Sequence, residues 1–471
     1  MTMMFRYFAT NSSCCFSRMH RNNPHHVPLK RLCLALLLSV DASSLAFAVG
    51  GRSTRTTTTT NYIRRGIASS SSVQDHNELP ENFPRREDVL IALAGVRKAC
   101  RVTQALQPNK GISSEDTYSN SNSNSTSTIG TVEKADLSPV TVADYAVQAL
   151  LLQHLYQHFP NDGFIAEEDS AVLQQDDYIC QQVVQASGLT QEDALTGIDL
   201  GKSYTKWTSE EPQRPPNSVW CLDPVDGTKG FLRGKRSGGQ YAIALALVEQ
   251  GVPTIGILGC PNLPTHPSDE QYAWQDDETE ENNSQTRGCI FVASRGGGCY
   301  QLNLEPRSAT KLSVTPNDAS TRPITEGRFC IGVEKFSDAL GHTGGMAQLL
   351  HGEDCALDKH AEIIKARRID SQAKHGVIAR GGAEWYVRLP KPGYVEWIWD
   401  HAAGNVVIEE AGGQMSDTNG KPLDFSLGPK LSPRVRGILM SNGGVFHTAL
   451  VDAYQKQDEK LQKSKHPGDS L

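Results

Sequence analysis

Asp223-Pro-Val-Asp-Gly-Thr-Lys-Gly-Phe-Leu-Arg-Gly234 carries more structural and chemical information than any other stretch of the chain. Asp223 and Asp226 are hard oxygen ligands three residues apart, and Pro224 stiffens the turn between them. Gly227 and Thr228 then offer free backbone N–H groups where a helix can begin. Two carboxylates beside such a start can hold Mg²⁺, while the N–H groups and the helix dipole hold a phosphate. Average composition yields D-P-x-D-G-T by accident in on the order of one chain of this length in several thousand, so chance is a poor account of it. A polar Asp-Pro turn on the surface is the competing reading of the same residues. Upstream, Trp220-Cys-Leu222 reads as a buried strand that delivers the turn. Tyr241–Val248 and Pro253–Leu258 read as the next strands.

Three further segments bear on the same chemistry. Trp399-Asp-His-Ala-Ala-Gly-Asn-Val-Val-Ile-Glu-Glu-Ala-Gly-Gly413 places Asp400 where an N-cap belongs, ahead of a compact apolar face. That face comprises Ala402, Ala403, Val406, Val407 and Ala411, and Gly412-Gly413 supplies a left-handed stop. Phe164-Ile-Ala-Glu-Glu-Asp-Ser170 is an apolar run ending in carboxylates, the ordinary pattern of a solvated strand end. Ser138-Pro-Val-Thr-Val-Ala-Asp144 precedes an apolar-periodic helix from Tyr145 to about Phe159. Thr141 and Asp144 have the spacing of a capping box, which is a sufficient structural role for both.

Taken in their order along the chain, the four segments resemble the inositol monophosphatase superfamily of Mg²⁺-dependent, lithium-sensitive phosphatases. They are most similar to its 3′(2′),5′-bisphosphate nucleotidase branch. The resemblance extends over roughly residues 82 to 455. Asp370-Ser-Gln-Ala-Lys-His-Gly-Val-Ile-Ala-Arg-Gly-Gly382, continuing to Tyr386-Val-Arg-Leu-Pro390, looks like the nucleotidase branch rather than the inositol branch. So do Lys229-Gly-Phe-Leu-Arg233 and His401.

The resemblance implies a layered αβαβα sandwich, α+β or α/β in class, with two subdomains. It implies two or three Mg²⁺ ions. Glu167, Asp223 and the Val225 carbonyl would bind one, and Asp223, Asp226 and Asp400 a second, with Glu167 touching a weaker third. Oxygen-only ligands favour Mg²⁺ over zinc. Thr228 and Asp144 are similar to the family's water-activating pair, in which Asp144 accepts the Thr228 proton and Thr228 orients the attacking water. Lys374, Arg388 and Ser371 match phosphate-contacting residues, Gly227 and Thr228 the phosphate turn, with Arg380 and Arg233 as weaker candidates. His342 would take the purine-contacting place. Here, however, Gly332-Val-Glu-Lys-Phe-Ser-Asp-Ala-Leu-Gly-His342 departs from the family's close Gly-Val-Glu-Lys and His-Ser spacing. Trp385 and Trp397 either border the base or belong to the core.

The implied reaction removes the 3′-phosphate of adenosine 3′,5′-bisphosphate to give AMP and phosphate, with 3′-phosphoadenylyl sulfate as a second substrate. An inositol polyphosphate 1-phosphatase shares every metal ligand and is the competing reading within the class. A non-catalytic nucleotide sensor is the rival outside it, and a retained water-activating pair speaks against that. The expected partner is a small bisphosphate nucleotide, with no membrane association in the mature form; the sequence leaves oligomeric state open.

The 471-residue chain carries a formal net charge of −7, but the charge is unevenly placed. Residues 1–74 hold nine Lys/Arg and one acid, Asp41, which leaves a body near −15. Such a body is no nonspecific nucleic-acid binder, whose affinity comes from basic surface. Within the leader, Leu32-Cys-Leu-Ala-Leu-Leu-Leu-Ser-Val40 follows Lys30-Arg31 like a signal-peptide core and is too short to span a bilayer. Arg52 to Ser72 is then rich in Ser, Thr and Arg, with no acid. Together they resemble the two-part leader of proteins bound for plastids with extra membranes; a mitochondrial presequence is the rival.

Length favours two domains. The expected organisation is an N-terminal α+β metal-binding domain over 82–255 with a flexible insertion at 113–127. A C-terminal α/β domain over 256–455 follows, with an acidic insertion at 264–288 and a solvated tail at 457–471. Eight cysteines lie between Cys100 and Cys355 without zinc-like spacing, which predicts buried reduced thiols.

Overall fold

The structure is a computed structural model that describes residues 78–108, 131–133, 139–204, 218–235, 238–266, 287–305, 309–316, 323–333, 341–355 and 366–465. The leader and the core of both expected insertions lie outside the described residues. Helix α1 (Arg86–Leu106) is followed by an antiparallel ribbon of β1 (Thr131–Glu133) and β2 (Pro139–Thr141), then by α2 (Val142–His158). Next come β3 (Gly163–Ala166), α3 (Asp177–Ser187), α4 (Gln191–Leu200), β4 (Ser218–Asp226) and the short α5 (Thr228–Arg233). Five further strands complete a seven-stranded sheet: β5 (Ala242–Glu249), β6 (Val252–Pro264), β7 (Arg287–Ser294), β8 (Gly298–Asn303) and β9 (Thr310–Lys311). Its order is β3-β4-β5-β6-β7-β8-β9, with β3 and β4 parallel and the other pairs antiparallel.

A second sheet is built from β10 (Phe329–Ile331), β11 (Ala366–Arg368), β12 (Trp385–Arg388), β13 (Gln414–Asp417) and β14 (Ile438–Ser441). Its order is β11-β10-β12-β14-β13, parallel as far as β12 and antiparallel beyond. The remaining α-helices among the described residues are α6 (His342–His351), α7 (Ala373–Ala379), α8 (Ala402–Glu410) and α9 (Gly444–Lys465).

Alternation of side chains along the strands produces the layers. In β4, Trp220 and Leu222 face a core shared with α1 and α2, while Val219 and Cys221 face a different one. In β5, Ile243, Leu245 and Leu247 join the first core, and Ala242, Ala244 and Ala246 the second. The second core contains α7 and α8, and it is closed by Tyr386, Ile438 and Met440 of the smaller sheet. Trp385, Val387 and Leu439, one residue out of phase, pack outward on α6 and α9. The result is an αβαβα sandwich, as expected, with α7 and α8 between the two sheets. Small residues allow that middle layer to be tight. A Cβ on Gly256 would meet the Ala403 carbonyl at 2.4 Å, and one on Gly404 would meet His375 Nδ1 at 1.9 Å.

Three expectations change. The boundary placed at 255/256 cuts through β6, which pairs with β5 on one side and β7 on the other. A continuous strand ladder cannot separate two domains; the change of sheet falls between β9 and β10, and Val73–Leu471 forms one compact unit. The tail expected from 457 is instead α9 as far as Lys465, where Gln457 is buried and donates to the Gly341 carbonyl at 3.1 Å. Asp400 does not cap α8; it ends a 3-10 turn and His401 takes the cap position. The stop of that helix is as expected: Gly412 has φ 91°, and Gly413 N–H bonds the Ile408 carbonyl at 2.9 Å in a Schellman closure. The eight described cysteines are buried and form no disulfide with one another.

Candidate metal and phosphate site

Asp223 and Asp226 differ by an odd number of residues, so a regular strand would aim them at opposite faces. The pairing of β4 with β5 is shifted between them: Asp223 opposes Ala244 and Asp226 opposes Ala242. Three residues of β4 therefore span two of β5, a bulge that returns both carboxylates to the same side. Pro224 sits in that bulge, where no ladder N–H is required of it. Gly227 then turns the chain with φ 88° into α5, and a Cβ there would lie 2.8 Å from Ser371 Cβ. Ser371 itself is left-handed, with φ 64°. The two turns interlock: Gln372 N–H donates to Asp226 Oδ2 at 2.5 Å, and Arg233 pairs with Asp370.

These turns border a cavity of about 350 Å³ at one end of the middle helical layer. Its lining includes Glu167, Asp223, Val225, Asp226 and Asp400, together with Gly227, Thr228, Ser371, Lys374 and Arg388. Asp223, Asp226 and Asp400 offer oxygens that all lie within 4.8 Å of one another. Burial, reinforced by the charges of Glu167, Asp226, Asp400 and Asp144, pushes the Asp223 carboxyl well above the usual range. Asp400 is raised in the same way by burial and by Asp226. Asp226 is also raised by burial, although Lys374, the Gln372 N–H and Arg388 pull it back down. Asp223 Oδ1 is buried with no hydrogen-bond partner among the described residues. Converging carboxylates with an unused buried oxygen are an unfavourable arrangement for the bare chain and a fitting one for divalent cations. Glu396, Asp400 and His401 form a second close group. There, however, His401 Nε2 and Glu396 Oε2 already bond each other at 3.1 Å, so the oxygen set around Asp223 is the metal candidate.

Two cations share the cavity with these carboxylates. Lys374 is buried, donates to the Ile369 carbonyl at 3.0 Å and lies 4.9 Å from the centre of the Tyr386 ring. Burial lowers its pKa while Asp226 and Asp370 oppose that shift. Arg388 is half-buried, and its Nε donates to Glu396 at 2.9 Å. Burial works against its charge, but Glu396 outweighs this and raises its pKa. Burial, with His401 and Lys374 nearby, drives the His375 pKa far down and keeps that ring neutral.

Thr228 is the first residue of α5 rather than its cap, and its Oγ1 donates to the Val225 carbonyl at 3.3 Å. Asp144 lies buried in the first turn of α2, outside the lining residues, near enough for its charge to act on Asp223. His342 is not brought to the cavity. Its Nε2 pairs with Asp458 at 2.9 Å and its ring stacks on Tyr454, so the purine-contacting role expected of it has no support in the geometry. Arg380 is held by the Pro264 carbonyl at 2.8 Å, outside the lining, and Arg233 acts through Asp370. Trp385 stacks in the core on Phe329, and Trp397 stacks on Trp399 under Lys430. Sequence reasoning gave no role to Gln372, His375 or Tyr386, although all three fall inside the quoted Asp370–Pro390 block. Glu396, four residues before Asp400, was outside every quoted motif.

Converging carboxylates that share a cavity with Lys374 and Arg388 are suited to divalent metal and to phosphate esters. The chain belongs to the inositol monophosphatase family, whose sequence profile matches residues 101–459. Within that family it falls in the bisphosphate nucleotidase branch. It is 35% identical over 384 residues to the 3'(2'),5'-bisphosphate nucleotidase of Schizosaccharomyces pombe, covering 79% of this chain and 97% of that one. Identity is 38% over 319 residues to the enzyme of the same name from Emericella nidulans, covering 64% and 84%. It is 35% over 329 residues to 3',5'-bisphosphate nucleotidase 2 of Arabidopsis thaliana, covering 66% and 84%.

Proposed function

We propose that the protein is a Mg²⁺-dependent phosphomonoesterase that removes the 3′-phosphate of adenosine 3′,5′-bisphosphate, and of 3′-phosphoadenylyl sulfate, leaving AMP or adenylyl sulfate. The observation that carries this reading is one cavity lined by three mutually close carboxylates and also by Lys374 and Arg388. A substrate with two phosphates suits that lining, one held through metal ions at the carboxylates and the other by Lys374 and Arg388.

Glu167, Asp223, the Val225 carbonyl, Asp226 and Asp400 would hold the ions, and an all-oxygen set favours Mg²⁺. When bound, such ions supply Lewis-acid polarisation of the phosphoryl group and neutralise charge at the leaving oxygen. Thr228 orients the attacking water and Asp144 accepts the proton passed on by its hydroxyl. The present 3.3 Å bond from Thr228 to Val225 is long for an O–H donor, so a better acceptor can take it over. The water oxygen bonds to phosphorus, the bond to the 3′ oxygen breaks, and that oxygen takes up a proton. Gly227 and Ser371 keep the phosphate turn open to the leaving phosphate, and Lys374 and Arg388 hold the other one.

Phosphate release by the purified protein from a panel of bisphosphates tests the assignment. Adenosine 3′,5′-bisphosphate is expected to be the preferred substrate, with activity lost in chelator and restored by Mg²⁺. Preference for inositol 1,4-bisphosphate over every nucleotide overturns it in favour of an inositol polyphosphate 1-phosphatase.

Import into a plastid, with removal of about the first 74 residues, is proposed on the basic, nearly acid-free leader. Residues 1–74 fused to a fluorescent protein are expected to reach that organelle. Diffuse cytosolic fluorescence rejects a targeting role, and mitochondrial fluorescence replaces the plastid with the rival address. Among the described residues no helix is long and apolar enough to cross a membrane.

A further inference from the structure

Glu396 is a buried carboxylate that does not line the cavity; its side chain is 1% exposed. A charge so placed needs donors, and it has one on each oxygen. Arg388 Nε donates to Oε1 at 2.9 Å and His401 Nε2 donates to Oε2 at 3.1 Å. Burial opposes its ionisation, but the bond and charge of His401, then those of Arg388, hold its pKa down to about 2. Its main chain is anchored as well. Leu431 N–H bonds the Glu396 carbonyl at 2.9 Å, Trp397 bridges Lys430, and Ile398 N–H bonds the Pro429 carbonyl at 3.0 Å.

The consequence falls on Arg388, the last residue of β12. With Nε taken by Glu396, the two terminal amino groups of its guanidinium have no hydrogen-bond partner among the described residues, and Arg388 lines the cavity. A planar guanidinium fixed at Nε has one setting left for its terminal fork. Without that anchor, a half-exposed arginine loses the pre-organisation that suits it to bidentate phosphate recognition. His401 extends the tie to the start of α8, one residue beyond Asp400. We propose that Glu396 is a positioning residue, which aims the Arg388 fork at the substrate phosphate that is not cleaved and ties that cation to the segment that carries Asp400. This rests on the reading of the cavity as a bisphosphate site.

The test is a mutant cycle on two substrates. Glu396→Gln keeps size and one acceptor oxygen but removes the charge; Arg388→Gln and the double variant complete the cycle, and thermal unfolding checks that each is folded. Glu396→Gln is expected to lower kcat/KM for adenosine 3′,5′-bisphosphate about tenfold, a typical loss for one weakened charge-assisted contact, with the change mostly in KM. The loss on adenosine 3′-monophosphate, which has no second phosphate, is expected to be much smaller. In the Arg388→Gln background the same substitution is expected to change bisphosphate hydrolysis little, because its effect passes through the arginine. Equal losses on both substrates, or a full loss repeated in the Arg388→Gln background, overturn the proposal. Should wild type prefer inositol 1,4-bisphosphate, the nucleotidase reading falls; the same cycle with inositol 1-phosphate as the control still decides the role of Glu396.

Discussion

Asp223→Asn and Asp226→Asn are each expected to lower turnover by at least about a thousandfold, equivalent to roughly 4 kcal/mol of barrier, with the fold intact. Asp223 is the residue on which the charges of the other carboxylates act, and its buried Oδ1 has no hydrogen-bond partner among the described residues. An amide retains the shape but removes the charge that balances a divalent ion. Stability gives a second readout with its own sign. The folded-state pKa of Asp223 is raised, so ionising it costs stability at neutral pH in the absence of metal. Removing that charge should therefore raise the melting temperature of Asp223→Asn above wild type in chelator. Added Mg²⁺ stabilises whichever form binds it by mass action, so it should raise the wild-type melting temperature and leave the variant nearly unmoved. Phosphate release by either variant within about tenfold of wild type, roughly 1.4 kcal/mol of barrier, rejects the metal assignment. A metal-induced stabilisation as large in the variants as in wild type rejects it independently.

Much of this site was legible because its residues are local in sequence. Asp223, Asp226 and Gly227 lie within one turn, and each constrains the next through the bulge and the positive φ. Asp400 could be picked out by its place ahead of α8, but not its true local role, since a 3-10 turn and a cap position are one residue apart in pattern. The layering was accessible only through the family resemblance: β5 (Ala242–Glu249) is apolar almost throughout, so its pattern does not tell one buried face from the other. What escaped is non-local. No spacing rule says that Glu396 turns away from the cavity to bind Arg388 and His401 together, or that Gln372 N–H reaches Asp226. His342 was misplaced for the same reason: the irregular segment before it broke the motif spacing, and its partners, Asp458 and Tyr454, come from α9. The domain boundary failed because a strand as long as β6 contains the prolines and glycines that otherwise mark a linker, while the ladder on both sides keeps it whole.

Lys374→Ala is expected to weaken adenosine 3′,5′-bisphosphate about ten- to a hundredfold while affecting adenosine 3′-monophosphate far less. A charge-assisted contact to the retained phosphate is worth roughly 1.5–3 kcal/mol, and the monophosphate has nothing there to lose. Arg388→Ala should show the same discrimination, but it is the less clean variant. It leaves Glu396 buried with only His401 opposite, and removing one partner of a buried pair is itself destabilising. Melting temperatures must accompany its kinetics, and Arg388→Gln, whose amide can still donate to Glu396, limits that loss. Neither substitution should raise the Mg²⁺ requirement. Both cations lower the Asp226 pKa, so removing one lessens the repulsion that an incoming divalent ion meets. Equal losses on the two nucleotides would take Lys374 and Arg388 out of the 5′-phosphate site. The assignment of these two cations to the phosphate that is not cleaved would then have to be abandoned.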